Sequence, residues 1–269
     1  MRLFILTLLS VFSFFSTAQT LTFGVVPQQP AQKLASLWYP VLDYLSQESG
    51  ITLQFKTAKN IPEFEHRLAN SEYDIAYMNP YHYTVFHQSS GYEAIAKRKN
   101  SRIRGIIVVR KDNPIKKLRT LNGEKLAFPS PAAFAASILT KAELTKMHIS
   151  FFPVYVTSHD SVYLSIANGF FVAGGGVLRT YKNADPSIRK QLRIFWETPS
   201  YTPHAIAVLP KIHHTTRTKI INAMINMSNT PAGLRLLKRL NFTGIEKAKD
   251  SDWNDVRSLD IKQLDSLIK

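Results

Sequence analysis

Short apolar runs alternate with longer amphipathic segments along most of the chain, the pattern of an α/β protein. Runs at 21–26, 52–56, 75–77, 103–110, 125–128, 154–156, 171–173, 192–197 and 204–209 predict strands. Helical periodicity falls at 30–49, 61–69, 80–87, 131–147, 159–168 and 186–191. The remainder, at 215–227, 231–240 and 251–269, reads as helix with no strand. Pro40 lies inside the first helix and predicts a kink or an early end there.

Three of the strand-to-helix junctions share a proline: LTFGVVPQQP at Pro30, YDIAYMNP at Pro80 and EKLAFPSP at Pro131. Proline suits the first helical position, where an N–H has no partner anyway. Asn79 and Ser130, one residue earlier, predict N-caps. Strand ends and helix N-termini brought together in an open α/β sheet make a crevice suited to a small anion.

Two strands stand apart as hinges, 105–109 running into a charged turn and 204–209 running into Pro210. Between them lies about 90 residues of strand–helix–strand sequence, enough for one α/β lobe. The expected division is a leader at 1–18, a first lobe of 19–109 with 205–269, and a second lobe of 110–204. Two crossing strands between two lobes describe a clamshell that closes by hinge motion.

The leader itself reads as a cleavable secretory signal peptide. Arg2 supplies the basic start, residues 3–15 an apolar stretch, and Ser16-Thr17-Ala18 a small-residue cleavage site. No later apolar run is long enough to span a bilayer. The chain contains 0 cysteines, which excludes disulfides and thiol chemistry. Together these features place the mature protein in a bacterial periplasm.

Charge narrows the partners. The chain carries 34 Lys and Arg against 19 Asp and Glu, net +15, of which only Arg2 lies in the leader. Its basic runs, KRKNSRIR, RKDNPIKKLR and KIHHTTRTK, are scattered rather than gathered into one motif. With a periplasmic address, that favours small anions or an anionic membrane surface over nucleic acid; a solvated basic face is the competing reading. His213-His214 and the pair His82 and His87 lack metal-ligand spacing, so neither a metal nor a cofactor is expected. Gly174-Gly175-Gly176 lacks the Lys-Ser/Thr of a P-loop and reads as a close-approach turn. There is no Gly-x-Ser-x-Gly elbow and no acid/base pair, so an enzyme is not expected.

FGVVPQQP, LWYPVLDYLSQESG, YDIAYMNPYHY, LAFPSPAAFAAS, SHDSVYLSIANG and TPSYTPHAIAV, in that order, resemble the phosphate/phosphite/phosphonate class of ABC-transporter substrate-binding proteins, the PhnD-like group. The likeness runs over about residues 21–210, far more than a lone motif. It implies a type II periplasmic-binding fold of two α/β lobes with an oxyanion in the cleft. Carried over block by block, it implies a ligand set of Asn60, Tyr77, Asn79, Ser130 with the amides of Ala132 and Ala133, and Ser158 with His159.

Two departures matter. Phosphonate-binding members show a Ser-Thr-Ser cluster at the third junction, and this chain has Pro131-Ala132-Ala133, which keeps amides but loses hydroxyls. The acids that hold the amine of aminophosphonates in relatives are replaced here by Arg179 and His204. That exchange disfavours a cationic amine and favours more negative charge. Local readings stay open for several residues. Asn79 is first an N-cap, His159 is a ligand donor or a capping histidine, and Tyr201 closes over the ligand or packs a turn. The function expected is a monomeric periplasmic binding protein for a small oxyanion, feeding an ABC permease. The alternative is a ligand sensor signalling to a membrane kinase or cyclase.

Overall fold

The computed structural model describes residues 20–267, so the leader expected over 1–18 lies outside them. In chain order come β1 (Thr20–Val25), α1 (Ala31–Ser49), β2 (Thr52–Lys56), α2 (Ile61–Ala69), β3 (Ile75–Met78), α3 (Pro80–Ser90) and β4 (Glu93–Arg98). Next are β5 (Gly105–Arg110), β6 (Glu124–Phe128), a π-helical turn (Phe134–Leu139) leading into α4 (Thr140–Lys146), β7 (Phe151–Tyr155) and α5 (His159–Ala167). Then follow β8 (Ala173–Val177), α6 (Leu178–Lys182), α7 (Pro186–Arg189) and β9 (Leu192–Glu197). The chain finishes with β10 (Ala205–Val208), α8 (His214–Asn226), α9 (Pro231–Arg239), β11 (Ile245–Lys247) and α10 (Asn254–Arg257).

These strands form two sheets, one of six strands ordered β11-β4-β10-β3-β1-β2 and one of five ordered β7-β6-β8-β5-β9. In the first, β1 lies parallel between β2 and β3, and β10 returns antiparallel between β3 and β4. In the second, β6 is parallel to β7 and β8, while β5 runs antiparallel between β8 and β9.

The second sheet is covered on both faces. Along β5, Ile106 and Val108 join one apolar cluster with Val162, Tyr163 and Ile166 of α5. Ile107 and Val109 join the opposite one, with Leu126, Phe128 and Leu144. Strict alternation in a strand sends neighbours to opposite faces, which is why so continuous an apolar run suits this position.

All of β5 belongs to the second sheet, so the segments that pass between sheets are 99–104 and 198–204. They meet at one antiparallel bridge, where Ile103 and Tyr201 exchange backbone hydrogen bonds of 2.8 and 2.9 Å.

Two strands escape the sequence pattern. EAIAKR (β4) is rich in helix formers, and Ile245–Lys247 breaks the tail that reads as all helix. Both are strands because an edge was available: β4 pairs with β10, and β11 closes onto β4. Tertiary pairing overrides local preference here. Pro40 sits within α1 without ending it.

Candidate functional site

The three proline junctions fold in three ways. At the first, Pro30 occupies the cap position of α1, not its first turn, and offers no side-chain cap. At the second, Asn79 caps α3 as the sequence predicts, its Oδ1 accepting the His82 N–H at 2.8 Å, with Pro80 next. Asn79 also reaches across the molecule: its Nδ2 donates to the Ala132 carbonyl at 3.2 Å.

The third junction departs from expectation. Pro131 and Ala132 form a turn, the helix starts at Phe134, and its first turns are π-helical. Ser130 caps nothing. Its carbonyl accepts from the Ala133 N–H at 3.3 Å, and its buried hydroxyl has no partner among the described residues. The amide of Ala133 is therefore spent within the turn.

The reason lies in the neighbouring sheet. A Cβ on Gly105 would stand 2.1 Å from the Ala135 carbonyl, and one on Gly175 only 1.9 Å from that of Ala136. The segment rides directly on two glycines, closer than any side chain permits. Gly174–Gly176 are thus a strand interior, not the turn expected from sequence, although the close approach holds.

Helix α5 begins as predicted, with Ser158 Oγ accepting the Ser161 N–H at 3.1 Å. The His159 N–H donates to the Gln28 carbonyl at 3.1 Å, joining this helix start to the first junction. The His159 ring is 1% exposed, with Nδ1 3.3 Å from the Thr180 hydroxyl. Burial, then the charge of Arg179, push this imidazole down to about 3, so it is neutral at physiological pH. Asp160 beside it holds Gln29 at 3.1 Å and Lys33 at 3.0 Å, which ties α5 to α1 across the two sheets.

Arg179, on α6, bonds the Gln28 side chain and lies 5.9 Å over the Tyr77 ring. Tyr77 in turn stacks on His204, with centroids 4.9 Å apart and planes at 18°. Burial, then Arg179, hold the His204 imidazole well below its ordinary value. Its Nε2 is buried with no hydrogen-bond partner among the described residues.

Two spaces open between the sheets. A gap of about 10 Å³ is bounded by Gln28, Asn79, Ala133–Ala136 and His159, with His204 at its edge. That admits about one water. The amides of Phe134, Ala135 and Ala136 open a helix here, where intrahelical geometry gives them no carbonyl. The second space is a cavity of about 320 Å³ lined by Tyr77, Arg98, Arg102, Arg104, Arg179 and Lys182, with His204 again part of the wall. Larger hollows of about 520 and 660 Å³ are open surface grooves away from both spaces.

Of the residues singled out from sequence, Tyr77, Asn79, Ala133, His159, Arg179 and His204 line one or both spaces. Asn60 lines neither and caps α2 through the Glu63 N–H at 2.9 Å. Ser158 is likewise a cap. Ser130 and Ala132 lie just behind the gap wall. Tyr201 packs edge-on against Phe134 at 5.8 Å, the turn-packing alternative. Sequence reasoning missed Gln28, Arg98, Arg102, Arg104, Lys182 and Asn241. The basic run KRKNSRIR held three of them, but only the crossing of the chain beside α6 brings them together with Arg179.

Two α/β halves joined by two crossing segments, with the polar space between them, define a type II periplasmic binding protein. The chain belongs to the family of ABC-transporter phosphonate periplasmic substrate-binding proteins, whose model matches residues 23–253. Members of this family bind substrate for a transporter and are not enzymes. The fold is similar to the binding-protein component of an ABC phosphonate transporter from Pseudomonas aeruginosa, with TM-score 0.82, 15% identity, and 91% of this chain and 87% of that one covered. It is also similar to PhnD1 of Prochlorococcus marinus in complex with methylphosphonate, with TM-score 0.81, 17% identity, and coverage of 90% and 97%. A Xanthomonas citri protein bound to ATP matches with TM-score 0.69, 17% identity, and coverage of 93% and 98%. No helix of the described residues is long and apolar enough to cross a membrane.

Proposed function

We infer that this chain captures a small oxyanion of the phosphate, phosphite or phosphonate class where the gap and the cavity meet, beside His204. One observation carries the reading. Arg179 forms no ion pair within 4 Å among the described residues, and the cavity it lines is walled also by His204, whose buried Nε2 has no hydrogen-bond partner among them. An unpaired guanidinium out of bulk water is costly, and an anion beside it offsets that cost. Neutral imidazoles at His159 and His204 supply an N–H without adding or requiring charge. Burial, opposed by Arg179 and Arg98, raises the Tyr77 phenol, so it stays a hydroxyl able to donate.

The lobes divide, on this reading, at 99–104 and 198–204, and closure about these segments encloses the anion. The protein is exported by its leader, works as a monomer and presents the closed form to a membrane permease. Titration calorimetry with phosphate, phosphite, methylphosphonate and sulfate tests the assignment. At least one phosphorus oxyanion should bind, and Arg179→Ala should weaken it by about 10- to 100-fold, the worth of a charge-assisted hydrogen bond. Failure of every phosphorus oxyanion to bind removes the ligand class and leaves the fold untouched.

A further inference from the structure

The cavity is larger and more basic than one oxyanion needs. At about 320 Å³ it has room for roughly ten waters, well beyond a single tetrahedral anion. Its charged lining is wholly cationic, with Arg98, Arg102, Arg104, Arg179 and Lys182 and no carboxylate. Two of these are already satisfied. Arg102 pairs with Asp255 at 2.8 Å, and Arg104 lies 3.6 Å from Glu197.

Arg98, Arg179 and Lys182 have no such partner among the described residues. Arg98 is the most exacting of the three. The central carbon of its guanidinium lies over the Phe242 ring, 5.7 Å from the centroid, and its Nε is shut away from solvent with no hydrogen-bond partner among the described residues. Burial, opposed by Tyr77 and reinforced by the neighbouring Arg179, holds this guanidinium below its ordinary value.

An oxyanion beside His204 answers Arg179 but leaves Arg98, from β4 of the first sheet, and Lys182, from α6 after β8 of the second, both lining the same space. We propose that the ligand carries a second anionic group, a carboxylate or a further phosphoryl group on a short linker, which Arg98 and Lys182 hold from the two lobes. This rests on the preceding reading that the space between the lobes binds an oxyanion. Such a group would bind both lobes at once, so the substituent and not only the head favours closure. A cationic substituent meets the same residues as repulsion.

Calorimetry on the full mature chain with three probes separates the possibilities. Methylphosphonate reports the head alone, propylphosphonate adds an uncharged chain, and phosphonoacetate adds a carboxylate. Phosphonoacetate should bind about 10- to 100-fold more tightly than propylphosphonate. Arg98→Gln and the more exposed Lys182→Ala should each cut that preference, while changing methylphosphonate affinity by less than about threefold. Lys182→Ala keeps the test alive if Arg98→Gln does not fold. Equal affinity for phosphonoacetate and propylphosphonate, with methylphosphonate bound, overturns the second anionic group alone. If none of the three probes binds, and phosphate does not bind either, the oxyanion reading falls and takes this inference with it.

Discussion

Asn79-Pro80 and Ser130-Pro131 carry nearly the same local instruction, and only one of them obeys it. Asn79 caps its helix through Oδ1 and donates from Nδ2 to the Ala132 carbonyl, whereas Ser130 is buried with an idle hydroxyl. The difference does not come from the capping residues, since both types cap well. It comes from what lies beneath. The second junction starts a helix at the end of its own strand, while the third is drawn down onto Gly105 and Gly175 before its helix can begin. A backbone seat two strands away outweighs a cap worth about 1 kcal/mol.

Acid should separate the two junctions most strongly, because they meet at a wall of neutral imidazoles. His159 is held at about 3 when folded, against about 6.5 for a free imidazole. The unfolded chain therefore takes up its proton first, and stability is lost as pH falls from about 6.5 towards 3. The loss is on the order of 3–5 kcal/mol. Urea midpoints across this range should show it, and His159→Gln should flatten part of the slope. An unchanged slope in that variant means another group carries it.

Gly175→Ala should come next, with a loss of about 3 kcal/mol, because its methyl group meets a backbone carbonyl that cannot turn aside. Chemical denaturation measures this, and a wild-type midpoint would show that the glycine seat does not set the third junction. Asn79→Ala should cost about 2 kcal/mol, combining a lost cap with a carbonyl left without its donor. Ser130→Ala should change stability by no more than about 0.5 kcal/mol, since it removes a hydroxyl that bonds to nothing. Equal losses at Asn79 and Ser130 would erase the contrast.

Features of the fold that depend on neighbouring residues are legible in the sequence. Alternation exposes β1, β2 and β5, and the cap at Asn79 stands where a short polar side chain can reach its own backbone. What the sequence hides is whatever needs a distant partner. β4 and β11 are strands only because β10 and β4 offer edges. The π-helical turn needs glycines from two other strands. For the site, Arg179 and His204 emerge from comparison with family blocks, but Arg98 and Lys182 look like ordinary surface cations until the chain crosses. Their lack of acidic partners is a property of three-dimensional neighbours alone.

Apolar packing also joins the two halves more than charge does. Phe134, 1% exposed, joins the core cluster of the first sheet although it belongs to the other half, and such burial contributes about 2–3 kcal/mol. The partly exposed Lys33–Asp160 pair adds at most about 1 kcal/mol.

The aromatic column beside the cavity gives the protein an optical readout of its own. Of the 3 tryptophans, Trp38 packs on the Tyr77 ring of the cavity wall, centroids 4.9 Å apart, while Trp253 reaches that wall only through its Nε1–H, which donates to the Pro203 carbonyl at 2.9 Å. Trp253 lies against Tyr83 in the first core, and Trp196 sits on β9. An anion that draws Arg179 off the Tyr77 face alters the electric field most at the Trp38 indole. Emission from Trp38, with the others as an internal reference, would follow capture in real time without a dye.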